Sequence, residues 1–431
     1  MESVPNRPLG SFETAQALTD AHSPFNVVAV LRLQNGPVET TIRHALDALQ
    51  ERHPLLRAAI VPSDHGLRFA PCDRPIALER FDRDDDSTWK RHAETELNRA
   101  FDAKAGPLMR CRLVSDGGQG GSSEIILSFH HSVIDGASGT NALAELLGAC
   151  ASIEAGETPE IGPPLPLLQP SEAIFPPSHL GFRRHLSLAG FLIRQMADEI
   201  SYRIRSIGTR RPPIHPIGSC RVLCRSLDAN DTTALVRSCR RRRLSLNSAL
   251  NAAMMLAVQR RMYEGKTVPI RHFNFADLRP LLKPPVPNEH ILGLYSMLRV
   301  TVSVRAGDDL WTTAGEVNRA VTRSARRGDF FSSVCLSAAM MRMILGQGNQ
   351  RMGTTALAYT GPPRLPRTLG SAEITGLEVF VSNLTLGPEF TAQVRLFDGE
   401  LRWNILYLDC DLDRAAAESV ADEMLSMLRK P

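Results

Sequence analysis

In the stretch Phe129-His130-His131-Ser132-Val133-Ile134-Asp135-Gly136, an apolar run from Glu124 to Phe129 meets two adjacent histidines, and an Asp-Gly pair follows. Beyond it, Gly139 to Cys150 carries apolar residues at helical spacing. The imidazoles therefore sit where a strand ends, a turn begins and a helix follows. Such a junction holds a side chain firmly and still lets a substrate reach it. Consecutive residues of a strand point to opposite faces, so only one of the two rings is expected at a reaction centre.

The chain has 431 residues, 43% hydrophobic and 22% charged, with a formal net charge of +4. That is an ordinary globular composition with room for two or three domains. The charge does not call for nucleic acid and leaves room for an anionic substrate. The one dense basic run, Arg240 to Arg243, reads first as a solvated helix end and second as a phosphate or carrier-protein contact. The eight cysteines form no CxxC pair and no Cys/His spacing suited to zinc, so no metal is expected. Met1 to Glu13 lacks the basic and apolar regions of a signal peptide, which sets the expectation of a reduced, cytoplasmic protein. No run of about eighteen apolar residues is apparent, so no transmembrane segment is expected. Leu186 to Met196, flanked by Arg183, Arg184 and Arg194, reads as a surface helix, with loose membrane contact as the minority reading.

Before the motif, Asn26 to Leu33 reads as a strand and Val38 to His53 as a helix stopped by Pro54. Ala58 to Val61 reads as a strand and Trp89 to Phe101 as a helix. Leu108 to Ser115 and Ser123 to His130 read as two strands joined by the glycine cluster between Asp116 and Gly121. No helix follows that cluster, so it is a hairpin turn and not a phosphate loop. Residues 156–181 are rich in proline and read as a crossover; a helix from His185 to Ile204 follows, and Arg211-Pro212-Pro213 and Pro216 close the connection. The second half reads as strands at Cys220–Leu227, Val268–Phe275, Leu298–Val304, Ala356–Thr360, Gly376–Asn383, Thr391–Phe397 and Leu401–Tyr407. Its helices are expected at Asp231–Arg240, Asn247–Met262, Trp311–Arg326, Ser332–Leu345 and Arg414–Leu428. No regular βαβ rhythm appears, which favours an α/β class with mixed sheets (α+β) over a doubly wound fold.

His130-His131-Ser132-Val133-Ile134-Asp135-Gly136 resembles the HHxxxDG signature of the chloramphenicol-acetyltransferase-like superfamily, which includes nonribosomal-peptide condensation domains and freestanding acyltransferases. Companion elements follow in order. Arg52-His53-Pro54-Leu55-Leu56-Arg57 resembles RHxxLR, Asp277-Leu278-Arg279-Pro280 resembles xLRP, Leu292-Gly293-Leu294 resembles (I/V)GxF, and Ser382-Asn383 resembles the late SN. The resemblance implies two acetyltransferase-like subdomains in a V around a central tunnel. The expected division is 1–155, a crossover at 156–217, and 218–431. It also implies a thioester donor, either acyl-CoA or a phosphopantetheine-linked acyl-carrier protein, used as co-substrate with no permanently bound cofactor. A small-molecule alcohol or amine is the acceptor, and the protein is expected as a monomer. No HQD element follows Gly293 (Thr313-Ala314-Gly315-Glu316 lies there), and the proline-rich crossover replaces YxDFAxW. With no adenylation or carrier domain attached, these departures favour a freestanding O-acyltransferase related to polyketide-associated and alcohol acyltransferases. A freestanding condensation enzyme forming an amide (or ester) from carrier-protein-bound substrates is the alternative, and a catalytically inactive binding module is the third.

Neutral imidazole accepts a proton near neutral pH, so His131 is the expected general base, worth ~10²–10⁴ in rate. His130 is assigned to support. Asp135 has two readings: a partner orienting His131, or a structural anchor paired with an arginine. The resemblance favours the anchor, with Arg57 as first partner and Arg279 as second. Gly136 is expected to permit a tight turn, and its amide to aid an oxyanion. Ser382 and Asn383 are expected near the substrate tunnel.

Overall fold

The computed structural model describes residues 5–117, 121–159, 161–202, 218–347 and 351–429. The chain divides into two compact units, each discontinuous in sequence. The first comprises Met1–Ile174, Arg279–Leu294 and Pro363–Ser382; the second comprises Phe175–Leu278, Tyr295–Pro362 and Asn383–Pro431. The expected boundaries therefore miss two excursions. Residues 279–294 and 363–382 follow the crossover in sequence but belong to the first unit. Local pattern is silent on this, because an excursion into another unit looks like any loop or strand.

The first unit holds a six-stranded sheet in the order Thr368–Leu369, Ala372–Val381, Asn26–Gln34, Ser122–His130, Met109–Ser115, Ala77–Asp82. Only the last pair is parallel. Asn26–Gln34 lies in mid-sheet and is apolar along almost its whole length, because both of its faces are covered. Helix Gly136–Glu154 lies over Val27 and Ala29, which an added Cβ at Gly139 would touch. On the other face, the Asn26 side chain donates to the carbonyls of Glu96 and Arg99, at the end of helix Thr88–Asn98, and Arg32 lies over Trp89. Register places His130 opposite Asn26, on this second face.

Helix Ser11–His22 has no counterpart in the sequence reading. Its buried residues include Glu13, Thr14, Gln16, Thr19 and Asp20, so its inward side is polar and gives no apolar period. Glu13 is held by Arg7 at 2.6 Å and accepts the Gly10 amide at 2.7 Å.

The second unit holds another mixed six-stranded sheet: Tyr295–Val304, Val268–Asp277, Thr355–Tyr359, Phe390–Phe397, Glu400–Leu408, Cys220–Leu227. Asp398 and Gly399, both at positive φ, make the predicted hairpin turn. Helix Leu246–Met262 is buried from Ser248 to Gln259 and packs against Leu310–Arg326 and Arg414–Arg429 to form the core. The crossover helix spans Gly181–Ser201. Its expected end at Ile204, the Arg211-to-Pro216 closure and Gly118 to Gly120 of the glycine cluster lie outside the described residues.

One expectation about membranes is amended. Residues Asp329–Gly346 of helix Asp329–Gln347 have a mean hydropathy of 1.3, long and apolar enough by length and composition to cross a bilayer. Asp329, Arg342 and three serines interrupt the run, which hid it from a search for unbroken apolar sequence.

Candidate active site

The strand that carries the motif ends at His130, and a 3-10 turn, His131–Val133, begins at once. The two rings therefore separate by a break in the strand as well as by alternation. His130 is buried, with both nitrogens engaged: Nδ1 accepts the Ser132 amide at 3.1 Å, and Nε2 faces Asp20 Oδ2 at 3.3 Å. Asp20 Oδ1 accepts the Phe25 amide at 2.8 Å, so this pair ties helix Ser11–His22 to the motif strand.

His131 is 5% exposed. Its Nδ1 lies 2.9 Å from the carbonyl oxygen of Ile134. A carbonyl only accepts, so Nδ1 carries the proton and the lone pair of the neutral ring lies on Nε2. Phe25 packs on the ring at a centroid distance of 4.6 Å. Burial pushes the His131 pKa down from 6.5 to about 4, against the upward pull of the Ile134 carbonyl and of Asp135. The ring is thus neutral throughout the physiological range.

Asp135 caps helix Gly136–Glu154. Its Oδ1 accepts the amides of Ala137 (3.1 Å) and Ser138 (2.8 Å). Its Oδ2 accepts Arg279 Nη1 (2.7 Å) and the Leu294 amide (2.8 Å). Burial pushes its pKa up, but the charge and hydrogen bonds of Arg279 and the amides outweigh burial and hold the carboxyl below its usual range. One expectation changes here, and the favoured anchor reading of Asp135 stands. The partner of Asp135 is Arg279, not Arg57; Arg57 ends the 3-10 turn Pro54–Arg57, and its carbonyl accepts the Cys72 amide. The orienting group at His131 Nδ1 is a main-chain carbonyl and not the Asp135 carboxylate.

Segment 279–294 fastens this arrangement. Arg279 Nη2 also donates to Ser138 Oγ (2.5 Å) and to the Leu292 carbonyl (3.1 Å). An added Cβ on Gly293 would stand 3.4 Å from the Ile134 oxygen, so the loop backs the same carbonyl that holds His131. The RHxxLR-like element grips the middle of the helix. His53 Nε2 meets Glu145 Oε2 at 2.7 Å, and Arg52 reaches Glu145 and Glu289.

The remaining expected site residues have plainer surroundings. Gly136 is the first residue of its helix and is absent from the positive-φ positions, so the turn itself does not require glycine. Ser382, in the first unit, accepts the Asn26 amide (3.0 Å) and donates to the Leu97 carbonyl (2.7 Å). Asn383, in the second, caps its own turn through the Leu384 amide (2.9 Å) and the Glu389 carbonyl (3.3 Å). Both side chains are thus engaged in structural bonds. Ser138, Asp20, Glu145 and the Ile134 carbonyl were not singled out from sequence. An Asp just ahead of a helical period is a cap signature that signals the Asp135 bonds to Ala137 and Ser138. Asp20 has no such signal, lying far from His130 in the chain. Among the described residues, no group of three His, Cys, Asp or Glu side chains is placed to hold a metal ion.

Residues 13–166, which include the motif, match the family model of the condensation domain. Residues 219–395 match that of the phthiocerol/phthiodiolone dimycocerosyl transferase C-terminus. Phosphinothricin tripeptide synthetase PhsC of Streptomyces viridochromogenes is 32% identical over 154 residues, which cover 33% of this chain and 14% of that protein. The matched part is thus a small fraction of that relative's length. Among solved structures, polyketide synthase associated protein 5 from Mycobacterium tuberculosis aligns over 99% of this chain and 98% of its own, at 20% identity and TM-score 0.70. The TRI3 trichothecene 15-O-acetyltransferase of Fusarium sporotrichioides aligns over 98% and 94%, at 12% identity and TM-score 0.77. The first condensation domain of the calcium-dependent antibiotic synthetase aligns over 99% and 96%, at 15% identity and TM-score 0.73. The chain thus matches a condensation-domain model over its first part and a transferase C-terminal model over its second, and shares the fold of these acyltransferase and condensation-domain structures along almost its whole length.

Proposed function

We propose that this protein is an acyltransferase that moves an acyl group from a thioester to an alcohol, with His131 as general base. The observation that carries the reading is the His131 Nδ1 bond to the Ile134 carbonyl, which leaves the basic lone pair of a neutral ring on Nε2. In the step envisaged, Nε2 takes the proton of the acceptor hydroxyl as its oxygen attacks the thioester carbonyl. The C–S bond then breaks, and the imidazolium returns the proton to the departing thiolate. No covalent enzyme intermediate is needed. Asp135 and Arg279 serve as the anchor that fixes the turn. Gly136 offers a main-chain amide at a helix N-terminus, a suitable donor for an oxyanion.

The donor is an acyl-CoA or a carrier-protein thioester, and the protein works as a monomer in the cytoplasm, where its eight free cysteines stay reduced. A second reading, amide formation on carrier-bound substrates, draws on one observation: the motif lies in the part that matches the condensation model. One experiment separates the readings. The protein is incubated with acyl-CoAs of different length and with acyl-carrier proteins, and thiol release is followed with panels of alcohols and amines. Acceptor-dependent release with alcohols is the expected result. Release with amines alone would establish the second reading, and no release with any donor would overturn both.

A further inference from the structure

Two neighbouring helices of the second unit carry features that acyl transfer does not use. Helix Gly181–Ser201 buries only Phe191 among its side chains. Phe182 (76%), Leu186 (61%), Ile193 (68%), Met196 (64%) and Ile200 (80%) are exposed. Their spacing puts them on one face of the helix. The helix has two acidic residues, Asp198 and Glu199, and both are taken up by Arg271 and Arg299. Its basic residues Arg183, Arg184 and His185 cluster at the N-terminal end of the apolar stripe.

Helix Asp329–Gln347 packs beside it, joined by the Arg194–Asp329 ion pair at 2.6 Å. It supplies an independent observation. Its window of mean hydropathy 1.3 is only 33% buried, whereas a core helix of that composition is mostly covered. Met343 is 54% exposed, and Arg342 beside it is exposed as well. Asp329 is buried and also accepts Ser324 Oγ at 2.6 Å, so this helix is fastened into its unit at one end.

We propose that these two helices form a docking face for the surface of an anionic lipid bilayer. The first helix lies in the interfacial plane over its length of about 30 Å, with its apolar stripe below the headgroups. Charge selects this occupant over a second copy of the chain. Arg183 and Arg342, both exposed, give the face a positive sign, which complements lipid phosphates. Two copies meeting through the same patch would bring these charges together. The inference is independent of the acyl-transfer reading.

The test is co-sedimentation of the whole protein with vesicles of phosphatidylcholine alone and of phosphatidylcholine with one-third phosphatidylglycerol, beside light scattering in solution. The expected result is binding to the anionic vesicles. Ile193→Ser/Met196→Ser/Ile200→Ser should weaken it at least tenfold without changing the melting temperature. Arg183→Ala/Arg342→Ala should lose about fivefold per arginine on anionic vesicles only, from ~1 kcal/mol per basic residue near the surface. Absence of binding, or equal binding by the triple-serine variant, overturns the proposal. So does a solution dimer that the triple-serine substitution dissociates and that ignores vesicles; it would make the face a self-interface.

Discussion

Truncating either member of the Asp135–Arg279 pair should unfold the first unit more readily, and the two losses should not add. The pair is buried on both sides and closes at 2.7 Å. Removing one partner of such a pair strands the other charge, at a cost of ~3–5 kcal/mol. In Arg279→Ala, Asp135 keeps the amides of Ala137, Ser138 and Leu294. Asp135→Ala also removes a helix cap, worth a further ~0.5–2 kcal/mol. At ~2–4 °C per kcal/mol for a unit of ~200 residues, Arg279→Ala should melt about 6–20 °C lower, with Asp135→Ala at or below that range. The double variant should fall short of the sum by at least ~1 kcal/mol, because the second truncation removes a charge already stranded. Thermal and urea unfolding give the stabilities, and thiol release gives the turnover of the folded fraction. Asp135→Ala that melts with the wild type and yet turns nothing over would refute the anchor and restore a chemical role for this carboxylate.

Three further outcomes follow from the site. His130→Leu or Asp20→Ala should cost ~1–3 kcal/mol by leaving a buried polar partner unmatched, while turnover per folded molecule stays within tenfold of wild type. A turnover loss as deep as that of a His131 variant, with unchanged melting, would show that support is the wrong role. Gly293→Ala should be tolerated, since its Cβ would sit at 3.4 Å from the Ile134 oxygen, while the branches of Gly293→Val should crowd that carbonyl and lower kcat more than they raise KM. The pH profile has a defined sign. Folded His131 takes its proton near pH 4 and the unfolded residue near 6.5, so the unfolded state binds more protons in between. The stability from the neutral ring is complete above about pH 6.5 and is lost as pH falls toward about 4. In kcat/KM, the acidic limb from this ring should lie near pH 4, and an inflection near 6.5 that disappears in His131→Gln would contradict the buried state.

What the sequence makes legible is local. Period and turn chemistry locate Asn26–Gln34, Leu246–Met262 and the Asp398-Gly399 hairpin to within a residue or two, because each is dictated by neighbours in the chain. The HHxxxDG-like string places His131 and Asp135 at a strand-to-helix turn for the same reason. What stays hidden is non-local. Nothing near Arg57 or Arg279 says which of two arginines meets Asp135, and the answer depends on segment 279–294 belonging to the first unit. The sequence reading Gly376–Asn383 catches only the later part of strand Ala372–Val381, and the strand's place beside Asn26–Gln34 has no sequence signal. The polar inner side of helix Ser11–His22 defeats periodicity outright, since Asp20 and Glu13 are buried for their partners His130 and Arg7.

The central claim is that the Nε2 lone pair of His131 takes the acceptor's proton. The direct measurement is the thiol-release kcat of His131→Ala beside wild type, at saturating donor and acceptor, with circular dichroism to confirm equal folding. The account predicts a fall of ~10²–10⁴ with the melting temperature preserved to within a few degrees. A His131→Ala protein that keeps its fold and works within about threefold of wild type, a difference of less than ~1 kcal/mol in barrier, would contradict it.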